Sequence, residues 1–330
     1  DRSKKVTLME DGVLFAPAAY SAPAAYYFPM MTRIVGVEVF KGPAAIQYGP
    51  NTIGGALNLQ TRPTPQGSAF MVDIAGGMDT YAKLHTYGGV GNKIGGVLAE
   101  AVFLSSDGFK ELDGGGDTGF YKLEGMVKGM LQSDPLGDIY HRGELKLGYS
   151  RELSNETYLG LTDADFQANP NRRYAASALD KMENQRVQIE GRYSVAIGES
   201  FDIQLTAYHH IFWRSWDKLN RFRGGPALYD MLASPDSGQN AVYAAILRGE
   251  EDSFSDAQTL LIGDNNRLFA SRGGHLQGRT RFETGPVEHD IKVGVRLHHD
   301  RIRRRHTEDA YRMEGGSLTT TNEETALNTH

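Results

Sequence analysis

From Ala69 onward, apolar and polar residues alternate in runs separated by glycine-rich or charged breaks. Phe70, Val72 and Ile74 share one face of Ala69–Gly77, and Thr80–Gly91 follows a Gly-Met-Asp turn. Val97, Ala99, Ala101 and Phe103 then alternate with Leu98, Glu100, Val102 and Leu104. The next strands are clearer. Tyr121, Leu123 and Val127 oppose Lys122, Glu124 and Lys128, and Leu145, Leu147 and Tyr149 oppose Glu144, Lys146 and Gly148. Val187, Ile189, Tyr193 and Val195 oppose Arg186, Gln188, Glu190 and Arg192, and Ile291, Val293, Val295 and Leu297 oppose Asp290, Lys292, Arg296 and His298. A period of two predicts strands with one apolar face. Such a face fits a half-solvated sandwich, but strands of about ten residues also match what a tilted membrane strand needs.

Connection lengths separate these readings. Short breaks at Gly91–Gly95, Gln132–Asp138, Ala196–Ser200 and Thr284–Glu288 alternate with long ones at Ser105–Gly119, Arg151–Asn184, Trp213–Ser271 and Arg301 onward, the first turn near Asp79 excepted. Short turns on one side and long loops on the other are the habit of outer-membrane barrels, and a sandwich has no reason to keep that parity. The count predicts about nine wall strands, too few to close a large barrel.

The first 65 residues have another texture. Val6–Val13 reads as a strand entering an Asp11-Gly12 turn, and Pro17, Pro23 and Pro29 then forbid a long helix or central strand. Within Arg33–Arg62, a strand over Ile34–Phe40 is stopped by Gly42-Pro43. A second turn falls at Tyr48-Gly49-Pro50, and Gly54-Gly55 lets the backbone pass close to another element before a strand ending at Thr61. Pro63 and Pro65 mark the change to strand-and-turn texture.

Composition narrows the classes. Over 330 residues the mean hydropathy is -0.43, 40% of residues are hydrophobic, and no run of eighteen is apolar. That excludes a transmembrane helix and leaves a barrel open. A net charge of -6 implies no general nucleic-acid surface. With no cysteine, disulfides and thiolate chemistry are excluded. HExxH, GxSxG, Walker A and a helix-opening GxGxxG are all missing, so no enzyme, cofactor or metal site is predicted. His209-His210 and His298-His299 are neighbours on strands and point to opposite faces. Trp213, Trp216, Arg214, Arg221 and Arg223 cluster where a strand meets a long loop, which fits an interfacial aromatic belt as well as a ligand contact. Arg301, Arg303, Arg304 and Arg305 read either as an anion funnel or as a contact with anionic headgroups.

The run Arg33–Arg62 resembles the end of the plug domain of TonB-dependent outer-membrane receptors. The resemblance rests on Arg33, Ile34, Glu38, Val39, Lys41, Gly42, Pro43, Tyr48, Gly49, Gly54, Gly55, Asn58 and Thr61 at the family's spacing. The proline-rich "LFAP" stretch and Ser154–Ser177 resemble the ferric-dicitrate and siderophore group.

The resemblance implies a mainly β fold: the C-terminal part of a plug over residues 1–65, then the first strands of a transmembrane barrel over 66–330 with long outer loops. It implies import of a ferric chelate by a monomer in the outer membrane, bound by lipid and powered by a TonB-ExbB-ExbD complex that would contact a segment preceding Asp1. Both ends of the chain read as cut. Tyr20, Ser21, Tyr26, Tyr27, Arg172, Arg173 and Tyr174 become candidate ligand contacts, though a merely solvated loop fits the last three. Arg33 and Glu38 become candidates for an ion-pair lock between plug and wall. Haem, cobalamin or glycan import, a passive porin, and a soluble carbohydrate-binding β-protein remain as alternatives.

Overall fold

A computed structural model describes residues 5–15, 26–49, 51–134 and 137–329. A small four-stranded sheet is built from β1 (Thr7–Glu10), β2 (Val13–Leu14), β3 (Ile34–Phe40) and β4 (Ala56–Thr61), in the order β2-β1-β4-β3. β1 and β2 form a hairpin across Asp11 and Gly12, whereas β1 lies parallel to β4. Gly55 is required at the turn into β4: its φ is +112°, and an added Cβ would lie 2.6 Å from the Phe40 carbonyl oxygen.

The rest of the chain is a wall. β5 (Gly67–Gly76), β6 (Ala82–Gly91), β7 (Gly95–Ser106), β9 (Phe120–Gln132) and β10 (Ile139–Ser154) lead to β12 (Lys181–Ile197), β13 (Phe201–Phe222), β14 (Leu260–Thr284), β15 (Val287–Glu314) and β16 (Ser317–Thr329). These strands form one antiparallel ten-stranded sheet in chain order. The pair β8 (Glu111–Leu112) and β11 (Arg172–Arg173) ties two outer loops together.

The wall inverts the usual distribution of side chains. Phe70, Val72, Val127, Leu145, Leu147, Val187, Ile189, Leu205 and Val293 are exposed, while Glu100, Glu124, Lys146, Arg186, Gln188, Glu190 and His210 are buried. A soluble sandwich does the opposite, because apolar area is what burial removes from water. Here the charged face packs on the small sheet and the apolar face looks away from it. On β15 the outward apolar residues run from Val287 to Leu297, a climb of about 25 Å for a tilted strand.

The structure corrects where the long outer strands end. Residues from Arg301 were read as a long loop and those after Gly315 as having no strand, yet β15 continues to Glu314 and turns through Gly315 and Gly316 into β16. The described wall has ten strands, close to the expected count of about nine. Likewise, β13 and β14 extend far into what was read as the Trp213–Ser271 loop. Between them the helices Leu228–Ala233 and Asn240–Arg248 pack Met231, Tyr243, Ile246 and Leu247 against Phe222, Leu260 and Met313, giving the outer loops an apolar core of their own.

Candidate functional site

Two layers of contacts join the small sheet to the wall. The first is ionic. A single turn at Met31–Arg33 carries Arg33 into β3 and buries its side chain. Its Nε donates to Glu124 of β9 at 2.5 Å, and its Nη2 donates to Glu10 at the end of β1 at 2.6 Å. Glu10 is fully buried and also accepts from Lys146 Nζ of β10 at 2.5 Å and Gln188 Nε2 of β12 at 3.1 Å. Lys146 pairs further with Asp11 at 3.0 Å and Glu190 at 3.4 Å, and Lys128 reaches Asp11 at 3.0 Å.

Charges buried this deeply are tolerable only when paired. Burial pushes the Glu10 carboxyl up, but Lys146 and Arg33 outweigh it and hold the group well below the usual carboxylate range. Asp11 behaves alike, ending at about 2 because Lys146 and Lys128 overcome its burial. Burial and the Glu124 charge push the Tyr27 hydroxyl up to about 12. Asp11 also accepts from the Thr61 amide at 2.9 Å and hydroxyl at 2.6 Å, which fixes the β1–β2 turn to the end of β4.

Glu38 takes no part in this cage. It is exposed and accepts from Asn58 Nδ2 at 2.7 Å, while Asn58 Oδ1 accepts from the Gly12 amide at 2.7 Å. Among the other motif positions, Gly42 and Pro43 open the turn Gly42–Tyr48, and Gly54 donates its amide to the Lys5 carbonyl. Tyr48 packs on Phe40 with ring centroids 4.4 Å apart. Its carbonyl accepts from Arg296 of β15 at 2.7 Å, next to Gly49 in the left-handed region.

The second layer lies nearer the long loops. Arg214, Arg267 and Arg304 are direct cross-strand partners on β13, β14 and β15. Arg214 is buried with its Nε unpartnered, and its guanidinium stands 4.8 Å from the Tyr26 ring. Arg267 donates to the Tyr26 hydroxyl at 3.1 Å. Among the described residues, no carboxylate forms an ion pair with any of the three. On the same row Glu152 lies two strands from Arg214, where it accepts from Asn184 and pairs with Lys122. Like charges placed directly opposite repel, so this row holds uncompensated positive charge.

The remaining candidates fall elsewhere. Tyr20 and Ser21 lie outside the described residues. Tyr27 is buried beneath Arg186, whose guanidinium lies 4.3 Å from its ring. Arg172 pairs with Asp113 at 3.0 Å and Asp165 at 2.8 Å. Arg173 is buried and donates to Ser177 Oγ at 2.9 Å, and Tyr174 donates to Asp165 at 2.5 Å. These three residues hold the outer loops together. Trp216 stacks on Tyr158 at 4.9 Å on the inner side of β13. It is therefore not part of an outward belt, although Trp213 on the opposite face remains compatible with one. The sequence singles out neither Glu10 nor the arginine row.

A plug-like sheet held by ions inside an apolar-out wall has the fold of a TonB-dependent outer-membrane receptor. The chain superposes on the ferric citrate transporter FecA in its unliganded form, with 17% identity, a TM-score of 0.66, and 99% of this chain covering 43% of that one. The siderophore receptor PiuA from Acinetobacter baumannii is similar at 14% identity and a TM-score of 0.63, with 99% of this chain covering 43% of that one. The copper transporter OprC is similar at 16% identity and a TM-score of 0.58, with 98% covering 42%. This chain thus spans less than half the length of these structures. Their cargoes differ, so the fold alone leaves the cargo open. No family model and no curated protein matches the sequence.

Proposed function

We propose that this chain is the plug end and first wall strands of an outer-membrane receptor that imports an anionic metal chelate, a ferric carboxylate chelate foremost. The observation that carries this reading is the row Arg214–Arg267–Arg304 beside Tyr26, positive charge that pairs with no carboxylate among the described residues. Charge-assisted bonds to a polyanion would relieve that repulsion, and they are stronger than neutral ones. Ligand binding would be read here, while the cage around Arg33 and Glu10 holds the plug until energy from the inner membrane rearranges it. No bond of the cargo is made or broken in this scheme.

Titrating the full-length receptor in detergent tests the reading. Ferric citrate should bind more tightly than a neutral ferric chelate, and R267Q/R304Q should weaken it at least tenfold. Affinity independent of chelate charge, or unchanged in the double variant, overturns the anionic assignment. Iron-starved cells lacking the gene should also lose uptake of the labelled chelate.

A further inference from the structure

The strands that carry the arginine row carry a second group of cations nearer the short turns. His275 of β14 is directly opposite Arg296 of β15, and Arg279 is directly opposite Lys292. All four alternate in step with Arg267 and Arg304 and so share the face that meets the plug. With Gln47 of the plug turn Gly42–Tyr48 they line an inner cavity of about 360 Å³, a size that suits a small ligand. Arg279 is committed, its Nε donating to Asp290 at 2.7 Å. Arg296 donates to the Tyr48 carbonyl at 2.7 Å and pairs with no carboxylate among the described residues. Among the same residues, no hydrogen bond or ion pair involves Lys292 or His275, although His275 is buried. Asp202, opposite Arg279 on β13, is the one carboxylate on the cavity wall among the described residues. Set against Lys292 and Arg296, it leaves that wall cationic.

An apolar seal separates the two cationic groups. Phe212, Phe269 and Ile302 fill the inward row next to Arg214, Arg267 and Arg304, and they pack with Phe15, Tyr27 and Leu59 of the plug. From Arg304 to Arg296 the strand runs about 27 Å. A polyanion that crosses the seal leaves one set of cations and needs another, because a charge stranded among apolar groups is costly. The bond from Arg296 to Tyr48 ties the second set to the plug. When the turn Gly42–Tyr48 moves, Arg296 loses that carbonyl, and its guanidinium donors become available to an anion. Guanidinium and ammonium groups both bind carboxylates through charge-assisted hydrogen bonds.

We propose that His275, Lys292 and Arg296 form a second binding site, on the short-turn side of the seal, for the carboxylate groups of the imported chelate. The site rests on the anionic reading of the cargo and adds to it a receiving station behind the plug. Its cavity is present with the plug in place, so it takes up chelate in the resting protein, more weakly than the outer row because Tyr48 still occupies Arg296.

The experiment uses the full-length receptor in non-ionic detergent and radiolabelled ferric citrate, with bound chelate counted by equilibrium dialysis. Wild type should hold two equivalents, the second at least tenfold weaker than the first. K292E should lose the weaker equivalent, and R267Q/R304Q should lose the tighter one. A single wild-type equivalent that R267Q/R304Q abolishes leaves the cargo reading standing and overturns this site, whether or not K292E folds. Two equivalents that both survive R267Q/R304Q overturn the cargo reading and this site with it. A weaker equivalent that persists in K292E overturns the site alone. Its displacement by equimolar inorganic phosphate assigns the cavity to free anions and overturns the site as well.

Discussion

At the residue scale, the plug is held by few side chains and each is heavily engaged. Arg33 bridges Glu10 and Glu124 inside a dry contact. Replacing it with methionine keeps much of the volume but takes a cationic partner from two buried carboxylates, a loss of about 3–5 kcal/mol in comparable buried pairs. R33M should therefore raise amide hydrogen exchange across β1 and β4 by orders of magnitude while the outer loops stay protected. Unchanged exchange in the plug would show that Lys146 and Gln188 suffice.

A different residue sets a pH dependence in the outer loops. Burial raises the Asp180 carboxyl to about 6 even though the Thr157 hydroxyl and the Leu219 amide donate to it at 2.5 and 2.7 Å. Its folded value lies above its unfolded one of 3.8, so its contribution is fully present below pH 3.8 and is lost as pH rises through about 6. The loop domain should resist proteolysis better at pH 5 than at pH 7.5. D180N, which retains an acceptor without the charge, should flatten that difference. A wild type equally resistant at both pH values would sink this assignment.

At the scale of elements, the sequence announces strands only where the two faces see different solvents. Phe70, Val72 and Ile74, or Val293, Val295 and Leu297, alternate with polar partners because the apolar face points away from the small sheet and the polar face toward it. Beyond Leu297 the outward residues become His299, Arg301, Arg303 and Arg305, so charged residues stand on both faces and the periodic signal disappears while the backbone ladder continues. For that reason the sequence predicts a loop from Arg301 onward, where the second half of β15 and then β16 lie. The cage was partly legible. The wall's polar face was visible at Glu124, Lys146, Gln188 and Glu190, and Arg33 stood out by its place in a spaced motif. Glu10 was not, because nothing local distinguishes a buried charge from a solvated one. The arginine row was invisible for another reason, since it exists only once three strands are set in register.

At the scale of the whole molecule, one feature of the small sheet governs how it can come apart. β1 and β4 run parallel, with Thr7 beside Ala56 and Glu10 beside Leu59, and the chain leaves β4 past Pro63 for the wall. The chain therefore enters this pair at one end and leaves it for the wall at the other. A pull on the segment ahead of Thr7, against a wall held fixed, slides the strands along each other, and their hydrogen bonds share the tension as in a lap joint. The same bonds pulled crosswise would part singly, like a zip. Optical-tweezer traces on the membrane-embedded protein, tethered at its N-terminal side, should show one abrupt rupture of the sheet. A gradual lengthening at low force would mean that the joint is peeled rather than sheared.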